Sequence, residues 1–215
     1  MKSRTIDKSQ QATVKLTVSA IMVALSTVLS IPTPFSLPYG GSVTLFSFVP
    51  LLYVGYAYGA AWGVGAGLVH GIIQMILGIS GAVAGFAWWQ VIICALLDYL
   101  LAFGALGLSG VFKKSIKNPQ ASFAVGTLFA CVIKYVCHFI SGYVLFRGYA
   151  EWFFTEGSGA SYGAKILSTF SGNTLGVVYS LIYNATFSVP ETILSLVMVV
   201  IIISIKPIRK AAGVK

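Results

Sequence analysis

Residues 120–146 read QASFAVGTLFACVIKYVCHFISGYVLF, a run in which only Lys134 and His138 carry or readily take a charge. At about 1.5 Å per residue this run reaches roughly 40 Å, enough to cross a hydrocarbon core of about 30 Å. Apolar side chains surround it on every face, which suits lipid and not a half-wetted helix. The rest of the chain follows the same pattern. Of its 215 residues 57% are apolar and 9% charged, with a mean hydropathy of +0.89, whereas soluble domains carry about 25% charged residues. Too little polar surface exists to coat a water-soluble globule. A soluble enzyme, a nucleic-acid-binding domain and a transporter carrying its own ATPase are thereby excluded.

Prolines, glycines and charges divide the profile into six expected spans, at about 12–31, 43–58, 60–79, 89–112, 120–146 and 179–205. Together they form one all-α membrane domain over residues 1–215. An uncharged loop, Pro32 to Ser42, and a Gly/Ser-rich aromatic stretch, 147–178, are expected on the outer side. The net charge of +9 reflects topology. Eleven of the fourteen Lys/Arg lie at the start of the chain up to Lys15, at 113–117, or after the last span. The positive-inside rule then puts both termini in the cytoplasm. The N-terminal basic-then-apolar segment reads as an uncleaved first helix, because no small-x-small cleavage site precedes Pro32. Cys94, Cys131 and Cys137 lie inside apolar runs without metal-ligand spacing and read as buried thiols.

Gly59, Gly63, Gly67 and Gly71 recur every fourth residue and predict a smooth stripe for close helix packing. Ala20-x-x-x-Ala24 is a second small-residue pair, on the first span.

Ionisable groups within spans are costly and mark function. His70, Asp98, His138 and Asn184, on four different spans, all fall roughly 9–14 Å beneath the outer surface. Polar groups at one level on four helices describe a binding cavity open to the outside. Asp98 suits a cationic or donor-rich ligand. Phe146, Tyr143, Trp88, Trp89, Tyr179 and Tyr183 border this level and offer faces to a flat ring or cation, or else form an interfacial belt. Lys134 and Glu191 lie deeper, at matched depth and of opposite sign, and are expected to pair as structural support of the cavity floor.

Candidate chemistry is sparse. Gly107-Leu108-Ser109-Gly110 matches the GxSG motif of intramembrane serine hydrolases. However, Ser109 and His138 lie near opposite ends of adjacent spans, roughly 15 Å apart in depth, against the roughly 3 Å that proton transfer needs. Gly157 to Lys165 lacks the GK[ST] close of a phosphate loop, and no Cys/His or carboxylate cluster suggests a metal. The residues describe a binder and not a catalyst.

Four stretches then carry a resemblance: Pro38-Tyr39-Gly40-Gly41-Ser42, Leu96-Leu97-Asp98-Tyr99-Leu100-Leu101-Ala102-Phe103, Lys134 to Gly142, and Tyr179-Ser180-Leu181-Ile182-Tyr183-Asn184. With the six-span layout they resemble the substrate-binding S components of energy-coupling factor (ECF) vitamin transporters, and more narrowly their thiamine-specific ThiT/YuaJ branch. The resemblance implies an S-component fold in a bacterial cell membrane that captures thiamine from outside. It also implies a transmembrane coupling subunit and two cytoplasmic ATPases as partners, so that ATP is used by those partners and no cofactor by this chain. Carried over by position, Asp98 would hold the ligand. His138, Tyr179, Asn184 and Phe146 would line the pocket, and Ala20 and Ala24 would meet the coupling subunit. Gly41 and Leu45 stand where some thiamine binders carry Trp and Glu, and His70 where some carry Trp. Trp88, Trp89, Phe35 and Tyr39 are candidates to replace that aromatic surface. A pyridoxine-like or hydroxymethylpyrimidine ligand therefore stays open beside thiamine.

Overall fold

The computed structural model describes residues 8–37 and 41–214. Helix α1 (Lys8–Leu29) ends just before Pro32 and Pro34, and β1 (Phe35–Ser36) pairs antiparallel with β2 (Ser42–Val43), Phe35 opposite Val43. Helices α2 (Val49–Tyr58) and α3 (Ala60–Ala82) follow. The stretch expected as the second span, 43–58, is thus not one crossing helix. It is a strand, a bend at Phe46 with φ +64°, and a ten-residue helix that reaches only about 15 Å. Pro50, which has no N–H to donate, fits only in the first turn of α2 and so fixes where the helix starts. Leu51, Leu52, Val54 and Tyr56 of α2 are fully buried, so this helix forms the centre of the bundle.

Residues 88–110 make one continuous rod: α4 (Trp88–Cys94), a π-helical stretch (Ala95–Leu101), α5 (Ala102–Leu106) and a 3₁₀ turn (Gly107–Gly110). Helix α6 (Pro119–Phe146) starts on Asn118, whose side chain accepts from the Ala121 N–H at 2.9 Å. The Gly/Ser-rich aromatic stretch 147–178 contains α7 (Ala150–Thr155) and α8 (Ala160–Thr169). The chain finishes with α9 (Gly172–Ser204) and α10 (Lys206–Ala211). Among the described residues, five helical segments are long and apolar enough to cross a membrane: 9–29, 60–82, 88–110, 119–155 and 172–204.

The glycine stripe of α3 works as expected at three of its four positions. A side chain at Gly63 would meet Gly55 and Gly107, one at Gly67 the Phe103 carbonyl, and one at Gly71 the Tyr99 carbonyl. Gly59 instead takes φ +97° at the α2–α3 junction, with open space around it. Helix α1 and the residue that follows it are fastened to α3 by polar bonds, including Trp62 Nε1 to Ser19 Oγ (2.7 Å) and Gln74 Nε2 to Ser30 Oγ (2.6 Å). At the end of the bundle holding the 113–117 loop, Lys113 Nζ donates to the carbonyls of Ala212 (2.6 Å) and Ala57 (3.3 Å). Burial there pushes the ammonium below its ordinary pKa. The hydroxyl of Ser109 donates to the Leu52 carbonyl at 2.6 Å, so the GxSG serine is a buried packing bond between α2 and the rod.

Candidate functional site

Two helices present stripes at a spacing of four: Lys134, His138, Gly142 and Phe146 on α6, and Tyr179, Tyr183, Phe187 and Glu191 on α9. Residues four apart share a helix face, so each stripe is a wall. Gly142 lets the walls meet, since a side chain there would strike Ser180 and come within 2.9 Å of Asn184 Nδ2. A third wall comes from the π-helical stretch around Asp98. Such a wide turn changes the angular register of the residues that follow, and Cys94, Asp98, Tyr99 and Phe103 all reach the space between α6 and α9. From α3 the face Gln74–Gly78–Ala82 contributes, and from the segment before α2, Gly41, Ser42, Thr44, Ser47 and Phe48. Together they enclose a cavity of about 230 Å³, the scale of one small molecule.

Asp98 is its anion. Its Oδ1 lies 2.8 Å from His138 Nδ1, and Ser141 Oγ donates to Oδ2. An ionised Asp98 requires the proton on His138 Nδ1, and in the neutral ring that tautomer leaves Nε2 as an acceptor. Asn184 Nδ2 donates to the carbonyls of His138 (3.2 Å) and Ser180 (2.8 Å), leaving its side-chain oxygen as the group it offers. Deeper in the cavity, Lys134 Nζ and Glu191 Oε2 are 3.9 Å apart. The ammonium also sits over the ring of Phe48 at 4.5 Å, with Phe103 and Phe187 each at 5.8 Å. Glu191 Oε1 accepts from the backbone N–H and hydroxyl of Thr44, at 3.0 and 2.7 Å. The cavity therefore combines an oriented carboxylate, aromatic walls and a neutralised ion pair. That set suits a flat, positively charged heteroaromatic ligand.

Asp98, His138, Phe146, Tyr179 and Asn184 all line this cavity. Lys134 and Glu191 form the expected pair, and both line the cavity as well. His70 is the exception and requires correction. It is fully buried between α3 and α1, with Nδ1 3.2 Å from Thr27 Oγ1 and Nε2 3.5 Å from Ser26 Oγ. Depth placed it at the right level, but its face of α3 turns to α1. Trp88 is 76% exposed and Trp89 and Phe35 each 45%, and none of the three lines the cavity. Pro38, Tyr39 and Gly40 lie outside the described residues. The aromatic surface comes instead from Phe48, Tyr99, Phe103, Tyr183 and Phe187. Of these, Tyr183 was named from the sequence, and Phe187, missed there, stands four residues further along the same face of α9. Ala20 and Ala24 are exposed and border an apolar groove of about 590 Å³ between α1 and α3.

Comparison with known proteins gives the family. A family model described as "Thiamine transporter protein (Thia_YuaJ)" matches residues 16–160. The chain is 30% identical over 205 residues to the thiamine transporter ThiT of Bacillus subtilis strain 168, covering 90% of this chain and 92% of that one. It is 31% identical over 160 residues to the thiamine transporter ThiT of Lacticaseibacillus paracasei, covering 69% and 65%. A solved structure of ThiT from Listeria monocytogenes superposes with a TM-score of 0.66 at 19% identity, covering 94% of this chain and 98% of that one, and shares the fold. By sequence, over most of its length, the chain belongs to the Thia_YuaJ thiamine transporter protein family.

Proposed function

We propose that this multi-pass membrane protein is the thiamine-binding S component of an ECF importer and carries out no chemistry of its own. The observation that carries the reading is the Asp98–His138–Ser141 cluster, which aims an oriented carboxylate into an aromatic cavity. Thiamine complements it: the thiazolium is a permanent cation, the aminopyrimidine is flat and bears donors and acceptors, and the hydroxyethyl tail is polar. Asp98 would face the cation. Tyr179 and Phe146 would cover a ring face, and His138 and Asn184 would offer acceptors to the ligand's donors.

The remaining steps need partners. Ala20 and Ala24, exposed beside the α1–α3 groove, fit a close helix-to-helix contact with a transmembrane coupling subunit. ATP would be hydrolysed by two cytoplasmic ATPases attached to that subunit. Lys113 ties the 113–117 loop to the C-terminal residues, which supports placing both basic clusters on the cytoplasmic side, with the cavity opening outward. The test is calorimetric titration of the purified protein with thiamine, with pyridoxine and riboflavin as controls. Saturable binding of thiamine alone supports the assignment. Saturable pyridoxine binding without thiamine binding reassigns the ligand.

A further inference from the structure

Gln74 lines the cavity from α3, a helix that packs against α1 and the rod. Its side-chain nitrogen donates to Ser30 Oγ at 2.6 Å, and Ser30 Oγ in turn donates to the Thr27 carbonyl at 2.7 Å. A serine hydroxyl has one proton to give. Ser30 gives that proton to Thr27, so toward Gln74 it can only accept, and the group facing it is the amide NH2. The bond to Thr27 therefore fixes which way the Gln74 amide points. Its other end, Oε1, accepts from none of the described residues.

An acceptor on a cavity wall that no protein group satisfies gains most from a ligand that donates to it. Gly78 and Ala82, one and two turns further along the same face, also line the cavity and leave room beside the amide. A side chain at Gly78 would stand 3.4 Å from Tyr99 Oη, so the space lies between α3 and the rod. Asp98, which faces the cation, sits on the π-helical stretch that packs against both α3 and α6. The two substituents of a thiazolium held there leave the ring in different directions. The aminopyrimidine amine has two N–H groups, matched in number by His138 Nε2 and the Asn184 side-chain oxygen. The remaining donor of thiamine is the hydroxyl of its hydroxyethyl tail.

We infer that Gln74 is a ligand-contacting residue that sets specificity: its Oε1 accepts from the tail hydroxyl, and Ser30 holds the amide in the orientation that does so. An ether or ester at that position has no proton to give and sets one lone pair against another. The site thus favours the free alcohol over forms capped there. This deepens the reading of thiamine as the ligand and rests on it.

Calorimetric Kd values are measured for thiamine and for an analogue with hydrogen in place of the hydroxyl, using the parent, Gln74→Met and Ser30→Ala. The parent is expected to bind thiamine about tenfold more tightly than the analogue, the scale of one hydrogen bond whose acceptor is otherwise left unpaired. Gln74→Met keeps the length and loses the acceptor; it brings the two ligands within about twofold by weakening thiamine alone. Ser30→Ala frees the amide to rotate and gives an intermediate ratio. An unchanged ratio in Gln74→Met overturns the inference. So does an equal loss for both ligands, since a residue that merely ties α3 to α1 affects both alike. One arm needs no variant: the methyl ether of thiamine binds the parent no better than the hydrogen analogue, and an ether as tight as thiamine overturns the inference. A parent that binds no thiamine at all refutes the ligand assignment and this inference with it.

Discussion

Substituting Asp98 by Asn removes one charge and almost nothing else. The amide oxygen still accepts from His138 Nδ1, and Ser141 Oγ, which now donates to Oδ2, can turn to accept from the new amide nitrogen. What is lost is the attraction between a carboxylate and a thiazolium in a site where the Asp98 side chain is 19% exposed. At about 4–5 Å and an effective dielectric of about 20, that attraction is about 3–4 kcal/mol. The desolvation of two charges reduces the net value, and a loss of about 3 kcal/mol corresponds to roughly a hundredfold rise in Kd. Isothermal titration calorimetry is the assay of choice, because none of the four tryptophans lines the cavity as a fluorescent reporter. An uncharged analogue with a benzene ring in place of the thiazolium closes the cycle: it binds the parent weakly and is insensitive to the substitution. A Kd within threefold of the parent, in an Asp98→Asn variant of unchanged thermal stability, refutes the role given to this carboxylate.

Three further outcomes follow from the same geometry. Ala20→Trp combined with Ala24→Trp leaves the calorimetric Kd for thiamine unchanged but abolishes uptake into cells; loss of binding instead places that face in the ligand site. Ser109→Ala removes the bond to the Leu52 carbonyl and costs about 1 kcal/mol of stability, read as a lower unfolding temperature. Thiamine affinity stays unchanged, whereas an intramembrane hydrolase would lose its activity. Gly142→Leu forces Ser180 and Asn184 away from α6 and weakens thiamine binding about tenfold or more, with a matching shift in the Asn184 amide resonance.

The membrane class and most of the site were legible because both rest on local rules. Apolar length reports a span, and four-residue spacing reports a shared face. Lys134, His138 and Phe146 could be placed together from number alone, as could Tyr179, Tyr183 and Glu191. Two features were not local. His70 has the depth of the cavity, but the azimuth of α3 is decided by Gly67 and Gly71, which bed against the rod and so turn His70 to α1. The segment 43–58 has the composition of a span, yet Pro50 and the contacts of Thr44 with Glu191, 147 residues away, split it into a strand, a bend and a short helix. Neither depth nor hydropathy carries information about azimuth or about distant partners.

The wide turn at Ala95–Leu101 has a consequence for how binding specificity drifts. The carbonyls of Tyr99 and Phe103, on and just after this turn, rest against Gly71 and Gly67, where any side chain would collide with them. These two glycines have no side chain to offer a ligand and do not line the cavity. Even a methyl group at either would push the rod outward and swing Asp98 with it, away from His138 and Ser141. Random mutagenesis that selects for altered ligand preference should therefore recover changes at Gly67 and Gly71 as readily as at the residues that touch the ligand.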